Sequence, residues 1–341
     1  MKELVSVVMS VYNTPEAYLR ESIESISNQT WRDLEFIVVN DGSNADTSSI
    51  LRDYAARDSR IRLIENTENR GLTKNLNSAI RQATGRYIAR MDSDDISMPT
   101  RLERQVEFLE RNDDVSVLGT EWLLLKDGQL TAPRRYENQP WQIQGRLLYG
   151  CQGILHPSVM FRREIFTRDG FYYDEDFRIA QDFELWTRIG RRRKIYVLPE
   201  ELMKYRISDV QISTAKTDRQ IAFRTKVLLK ALEALGVTPT EEEKTLHVQF
   251  SHGKAARSVA EINAWAERLR AANRERALYD PVAFEYYTSK RQLDAAVHTL
   301  TRRGPTPGNF FGTLRAAWMA RRAKKAFHQE SALRGDLYAQ R

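Results

Sequence analysis

The sequence predicts an α/β fold, with a mostly parallel sheet flanked by helices and a helical C-terminal extension. Apolar, β-branched runs of strand length alternate with helical patterns over residues 1–125. Polar or acidic segments follow several of these runs directly. Beyond residue 214 the pattern becomes almost wholly helical. We therefore expect a sheet domain over 1–213, a helical extension over 214–303, and a basic C-terminal helix and tail over 304–341.

The predicted strands and helices alternate along the first part of the chain. The strands are Val5–Val11, Leu34–Val39, Ile61–Ile64, Tyr87–Met91 and Val115–Leu125. The helices run from a Thr14-Pro15 start to about Asn28, from a Thr73 cap to near Gly85, and from Pro99 to Arg111. Further helices are predicted at Arg219–Leu235, Ala260–Leu278 and Glu285–Thr301, with a last one after the break at 304–308.

Composition narrows the class of protein. The chain has 341 residues, a net charge of +7 and one cysteine, Cys151, so it forms no internal disulfide. A reducing, cytoplasmic location is expected, and a lone cysteine is more often a small buried apolar residue than a nucleophile. The sequence shows no secretory signal and no apolar run long enough to span a bilayer. The positive charge favours anionic partners such as nucleoside diphosphates, acidic lipids or nucleic acid.

The acidic segment Asp92-Ser93-Asp94-Asp95 follows a predicted strand directly. In parallel α/β sheets, ligands bind beyond the carboxyl ends of the strands. Three carboxylates so close together repel one another, and Mg²⁺ or Mn²⁺ with oxygen ligands suits such a group. The alternative is helix capping, since aspartate is favoured at a helix N-terminus.

Two further segments carry aspartates. Asn40-Asp41-Gly42-Ser43 follows another strand, and by itself it favours a turn. In a functional role, Asp41 would accept the N–H of a pyrimidine. Asp182 begins a short predicted helix and is equally suited to capping it. In a functional role, Asp182 would be a general base that deprotonates an acceptor hydroxyl.

Taken in order, these segments resemble those of family 2 nucleotide-sugar glycosyltransferases of the GT-A fold, of the bacterial polysaccharide and glycolipid type. The resemblance covers roughly residues 4–213. Its segments are Val5–Asn13, Ser25–Trp31, Glu35–Ser43, Asn69–Asn77, Asp92–Asp95, His156-Pro157-Ser158 and Gln181-Asp182.

The resemblance implies a role for each matching residue. Thr14 and Asp41 would hold the uracil of a UDP-sugar, and Lys74 would reach the base or the diphosphate. Asp94 would contact the ribose or the metal, and Asp95 would be the main metal ligand, with Asp92 behind them. Asp182 would be the catalytic base of an inverting transfer to a hydroxyl of a glycan or lipid-linked acceptor in cell-surface polysaccharide or glycoconjugate synthesis.

The acceptor and diphosphate side is less sharply defined by the resemblance. His156 would line the acceptor side; alternatively, local hydrogen bonds satisfy it. The family often has glutamate where this chain has Gln181, and histidine near the position of Ser208-Asp209. Because this chain lacks that histidine, closure over the diphosphate would involve Arg206 or would differ from the family pattern.

Other functions and partners stay open at this stage. A nucleotidyltransferase or a non-catalytic nucleotide-sugar-binding protein is an alternative, whereas no nucleic-acid-binding motif is present.

The stretch Asn309–Phe327 has five cations and no acid. Its alanine-rich face, from Ala316 to Phe327, would either lie on an anionic membrane, making the protein peripheral on the inner face of the cell membrane, or pack on the enzyme.

Overall fold

The computed structural model describes residues 3–150, 152–207, 218–254 and 258–335. Cys151 and the Ser208-Asp209 segment, on which sequence expectations rest, lie outside these residues. The chain divides into two units. The sheet unit comprises Met1–Asn138, Gln152–Ile189 and Arg193–Thr217, and the helical unit comprises Gln139–Cys151, Gly190–Arg192 and Asp218–Arg341.

A mixed sheet forms the centre of the sheet unit. In the described part of the chain it has nine strands, in the order β3-β2-β1-β4-β8-β6-β9-β5, with β7 paired to β6. The strands are β1 Val5–Val11, β2 Leu34–Asp41, β3 Ile61–Asn66, β4 Tyr87–Asp92, β5 Ile96–Ser97, β6 Val115–Lys126, β7 Gln129–Thr131, β8 Met160–Arg162 and β9 Lys194–Arg206. The near-continuous burial of β1, β2 and β4 is typical of strands covered on both faces.

The helices of the sheet unit follow the strands along the chain. They are α1 Glu16–Ser27, α2 Ala45–Arg57, α3 Leu72–Gln82, α4 Arg101–Arg111, α6 Glu164–Thr167 and α7 Gln181–Ile189. Helix α2 is absent from the prediction, although its start signal is present: the Asn44 side chain accepts a bond from the Thr47 amide at 2.9 Å.

Two predicted helix starts differ from the structure. Helix α1 begins one residue after Pro15, and Thr14 does not cap it. Helix α3 begins after Gly71, which has a φ of 91°, so Thr73 lies inside the helix. In both cases a partner distant in the chain binds the threonine hydroxyl, Ser93 for Thr14 and the Phe177 carbonyl for Thr73. Such tertiary bonds override the local capping preference.

The helical unit consists of α5 Pro140–Arg146, α8 Asp218–Ala234, α9 Glu241–Ser251, α10 Val259–Arg276, α11 Pro281–Arg303 and α12 Pro307–Arg334. Its core includes Trp141, Leu232, Phe250, Trp265 and Phe327. Among the helices described, none is both long and apolar enough to cross a bilayer.

Candidate active site

The carboxyl ends of three neighbouring parallel strands form one edge of the sheet. Strand β1 lies between β2 and β4, and the pairing aligns Val11 with Asn40 and Ser10 with Asp92. Adjacent strands in a sheet lie about 4.8 Å apart. The loop after β1, the Asp41 turn and the acidic segment after β4 therefore converge, as the strand pattern predicts.

Asp92, Asp94 and Asp95 form an acidic cluster at this edge. Each offers a carboxylate oxygen, and these oxygens all lie within 4.8 Å of one another. Asp95 is fully buried, whereas Asp92 and Asp94 are half-buried. Burial, then the charges of Asp92 and Asp94, raise the pKa of Asp95 well above its usual range.

The Asp95 carboxylate has one free oxygen. Its Oδ1 accepts a bond from the Arg206 amide at 2.9 Å, whereas its buried Oδ2 has no hydrogen-bond partner among the described residues. A buried polar atom without a partner costs free energy. A divalent cation bound between Oδ2 and the neighbouring carboxylates would remove that cost and offset the repulsion, so these residues fit Mn²⁺ or Mg²⁺.

Arg90 lies beneath the acidic cluster. It is buried in β4 and forms an ion pair with Asp92. A buried arginine is rarely retained without a charged partner, and this one offsets part of the negative charge of the cluster. Arg90 was not among the residues predicted from the sequence, although an arginine inside an apolar strand signals a buried charge pair.

Asp41 is buried and organises the loop that leads to α3. Its Oδ1 accepts bonds from the Arg70 amide at 2.7 Å and from Asn66 Nδ2 at 3.2 Å, and its Oδ2 accepts one from the Gly71 amide at 2.9 Å. A carboxylate has about four acceptor positions. Three are therefore in use, and one on Oδ2 is left for a ligand N–H.

Thr14 and Lys74 flank this turn. The Thr14 hydroxyl is 2.7 Å from that of Ser93, inside the acidic segment. Lys74 is exposed in the first turn of α3, three residues beyond Gly71, whose amide binds Asp41. Thr14, in the loop after β1, and Lys74, in the first turn of α3, thus lie beside the segments at this edge of the sheet.

Asp182 begins α7 and is half-buried, and its Oδ1 accepts a bond from the Phe183 amide at 2.7 Å. The buried Tyr173 interacts electrostatically both with Asp182 and with Asp92 of the acidic cluster. Burial raises the pKa of Tyr173; the charge of Arg90 opposes this, while those of Asp182 and Asp92 add to it. Tyr173 therefore lies within electrostatic reach of both carboxylates.

Polar residues of α3 hold the segment that leads to Asp182. The Asn77 side chain donates to the Tyr173 carbonyl at 2.9 Å and accepts from the Tyr173 amide at 3.0 Å, and the Thr73 hydroxyl donates to the Phe177 carbonyl at 2.9 Å. Ala180, two residues before Asp182, has a φ of 58°, which L-residues rarely adopt. Asn77 and Tyr173 are therefore positioning residues. Nothing in the sequence around either residue indicates this role.

His156 is buried, and its Nε2 is 2.7 Å from the Tyr173 hydroxyl. Burial and the nearby Arg90 lower its pKa well below the usual value, so the ring is neutral near pH 7. This hydrogen-bond partner, Tyr173, lies 17 positions further along the chain, and the expected place of His156 on the acceptor side stays a prediction.

Arg206 ends β9 and lies against the acidic segment. Its Nε donates to the Asp94 carbonyl at 2.8 Å, its guanidinium pairs with Glu21, and it lies 4.1 Å from the Tyr18 ring centre. These contacts fix the backbone that carries Asp94 and Asp95. The predicted contact between Arg206 and a diphosphate stays a prediction.

Comparison with known sequences identifies relatives of the sheet unit. The model of the family described as glycosyl transferase family 2 matches residues 6–169. An uncharacterized glycosyltransferase of Methanocaldococcus jannaschii is 37% identical over 230 residues, which cover 66% of this chain and 78% of that protein. The putative glycosyltransferase EpsE of Bacillus subtilis is 37% identical over 205 residues, covering 59% and 72%.

Comparison with solved structures extends the similarity across most of the chain. The crystal structure of S. aureus TarS 1–349 in complex with UDP-GlcNAc matches with a TM-score of 0.59 and 20% identity, covering 88% of this chain and 91% of that one. At this identity the match bears on the fold alone, and it confirms the predicted GT-A fold with a helical C-terminal region.

Proposed function

Because this chain belongs to glycosyl transferase family 2, we propose that it transfers a hexose-type sugar from a UDP-sugar to a hydroxyl, with inversion at the anomeric carbon. The acceptor is a glycan or a lipid-linked sugar in cell-surface polysaccharide or glycoconjugate synthesis. Family membership makes the chain a glycosyltransferase and removes the nucleotidyltransferase alternative. The carrying observation is the buried Oδ2 of Asp95, which has no hydrogen-bond partner in the part of the chain that the structure describes and lies within a cluster of three carboxylates.

The nucleotide would bind where the first two strand ends meet. The remaining acceptor position on Asp41 accepts the N3–H of uracil, and Thr14 contacts the same base. Lys74, exposed at the start of α3, supplies a cation for the base or the diphosphate. Asp94 contacts the ribose or shares the metal.

The metal would be held by Asp95 and Asp94, with Asp92 behind them paired to Arg90. A bound Mn²⁺ or Mg²⁺ supplies positive charge beside the diphosphate. Arg206 supports this arrangement, since its amide and its guanidinium both bind the segment 94–95.

Asp182 would act as the single general base. A glycosidase needs two carboxyl groups because its alkoxide leaving group must be protonated. A nucleoside diphosphate departs without that proton, so one base that deprotonates the acceptor hydroxyl is sufficient. His156 and Tyr173, hydrogen-bonded to each other, would be positioning residues, since Tyr173 lies within electrostatic reach of Asp182 and Asp92.

A substitution of the base tests this proposal. We expect Asp182→Asn to lower turnover by about 10²–10⁴-fold, the usual contribution of a general base, and to leave the Kd for the donor unchanged. Turnover is measured as nucleotide release across UDP-, GDP- and dTDP-sugars, and donor binding by calorimetry with Mn²⁺.

Asp176→Asn is the matched control, because Asp176 is an exposed aspartate six residues earlier in the same segment. Near-normal turnover of Asp182→Asn would contradict the assignment of the base. Donor binding without any turnover by the wild-type chain would favour a non-catalytic nucleotide-sugar-binding protein.

A further inference from the structure

The outward face of α12 carries a concentration of exposed apolar side chains. Phe310, Phe311, Leu314 and Trp318 are 47%, 68%, 51% and 57% exposed. At 3.6 residues per turn they lie on one side of the helix. Elsewhere in the described residues, large exposed apolar side chains are scattered singly or stand at the end of this same helix.

The opposite face of α12 is already occupied within the helical unit. Ala316, Ala323 and Phe327 are buried, Ala316 packs with Val259 and Ala296, and Phe327 belongs to the main core. The alanine-rich face, considered from sequence as a membrane-binding face, therefore packs on protein. The aromatic residues, including Trp318, face outward.

Exposed cations lie among and beyond these aromatic residues along α12. Arg315, Arg321, Arg322, Lys324 and Lys325 are exposed, and in the described part of the chain none of them pairs with a carboxylate. The Arg322 guanidinium lies 4.6 Å from the Trp318 ring centre. The first acid of α12 is Glu330, which binds Arg334.

We infer that this face of α12, residues 310–325, docks the protein on an anionic lipid surface. Aromatic side chains enter the boundary between headgroups and acyl chains, and the cations bind the lipid phosphates. Charge selects this occupant: two copies of the same face would bring five cations against five. An apolar protein partner would leave the cations without counter-charges. The inference goes beyond sugar transfer and does not depend on it.

Vesicle flotation with the full-length protein tests the inference. We expect the wild type to float with phosphatidylcholine vesicles containing phosphatidylglycerol, to float poorly with phosphatidylcholine alone, and to be released by salt. The double variant Phe311→Ala/Trp318→Ala should lower the partition coefficient at least about tenfold. Neutralising Arg321, Arg322, Lys324 and Lys325 to glutamine should lower it by about fivefold per residue.

Matched control variants remove the same kinds of exposed side chain at positions outside α12. Leu130→Ala/Ile221→Ala removes two exposed apolar side chains. A second control replaces four other exposed cations by glutamine and so has the same net charge as the four-cation variant of α12; these cations are Lys126, Arg219, Lys254 and Arg274. Both controls should float like the wild type. Since every substituted side chain is exposed, thermal unfolding should be unchanged throughout.

Three results would overturn the inference. One is equal flotation of the wild type and the two α12 variants. Another is that the wild type does not float but self-associates in sedimentation, and that Phe311→Ala/Trp318→Ala abolishes this self-association. The third is no flotation, with binding of a labelled oligonucleotide that the four-cation variant loses. All readouts are independent of sugar transfer, so a failure here leaves the proposed activity untouched.

Discussion

Asn77 illustrates how one side chain positions a distant part of the site. It binds both the amide and the carbonyl of Tyr173, which is 96 positions away in the chain. A side-chain amide can replace a strand neighbour in this way because it offers one acceptor and two donors. The segment that leads to Asp182 is therefore held in place by a residue of α3.

Removing the Asn77 amide should affect both stability and turnover. Asn77→Ala leaves two buried backbone groups of Tyr173 without partners, which costs about 2–4 kcal/mol of unfolding free energy. We expect a lower kcat, with the donor Kd changed little, measured by denaturant unfolding and nucleotide release. Ser78→Ala, at the neighbouring half-buried position, should be near wild type. Equal stability of the two variants would contradict the role of Asn77.

His247 should make the stability of the helical unit depend on pH. Burial lowers its pKa from 6.5 to about 3. The unfolded chain therefore takes up a proton first as the pH falls, so stability is complete above pH 6.5 and decreases below it. The loss between pH 6.5 and 4.5 should be about 2 kcal/mol. His156, whose pKa is also lowered by burial, lies in the sheet unit and should affect the stability of that unit in the same direction.

The pH dependence can be assigned by substitution. In denaturant unfolding between pH 7 and 4.5, His247→Gln should flatten the slope by about one proton. The exposed His252 supplies the control, His252→Gln, which should keep the wild-type slope. A wild-type slope in His247→Gln would show that the proton is taken up elsewhere.

At the scale of the elements, the turn after β2 depends on Gly42. Its φ is 69°, and an added Cβ would lie 2.6 Å from the Glu68 carbonyl carbon. The absence of a side chain lets the end of β2 approach the loop whose amides bind Asp41. The close approach that Gly42 allows is to the backbone of Glu68 and Asn69.

Gly42→Ala should lower the free energy of unfolding by more than the cost of placing an alanine at a positive φ. Gly128 has a similar φ of 77° and open space around it, so Gly128→Ala isolates the conformational cost, about 1–2 kcal/mol. We expect Gly42→Ala to cost at least ~1 kcal/mol more and to weaken donor binding, as measured by thermal unfolding and calorimetry. Equal losses in the two variants would show that the crowding is relieved without cost.

At the scale of the whole molecule, ligand binding should stabilise the fold. A ligand present at 100 times its Kd stabilises by about 2.7 kcal/mol. We expect UDP to raise the melting temperature more with Mn²⁺ than with a chelator, because the carboxylates at the sheet edge repel the diphosphate. Differential scanning calorimetry with UDP, Mn²⁺ and both measures this coupling.

Asp95→Asn should abolish the effect of Mn²⁺ on UDP binding, since it removes a charge from the cation site. Asp113→Asn is the control, because the Asp113 side chain is exposed and lies outside the acidic cluster. A Mn²⁺ effect of wild-type size in Asp95→Asn would contradict the assignment of the metal ligand.

The sequence determined the features that local pattern and segment order encode. The β1, β2 and β4 strands, the acidic segment after β4 and the basic, amphipathic character of α12 follow from apolar periodicity and from residues adjacent in the chain. The family and its fold also follow, because several segments in a fixed order are far more specific than any one of them. The cytoplasmic location stays a prediction.

Only the tertiary structure decided which groups meet. The pairing of Arg90 with Asp92 depends on their burial, and the hydrogen bonds between Asn77 and Tyr173 join segments that are distant in the chain. Burial likewise leaves Oδ2 of Asp95 without a partner among the residues that the structure describes. The same holds for α12, where packing on α10 and α11 buries the alanines and turns Trp318 outward. Hydrogen bonds and burial are properties of neighbours in space, and a local sequence pattern records only neighbours in the chain.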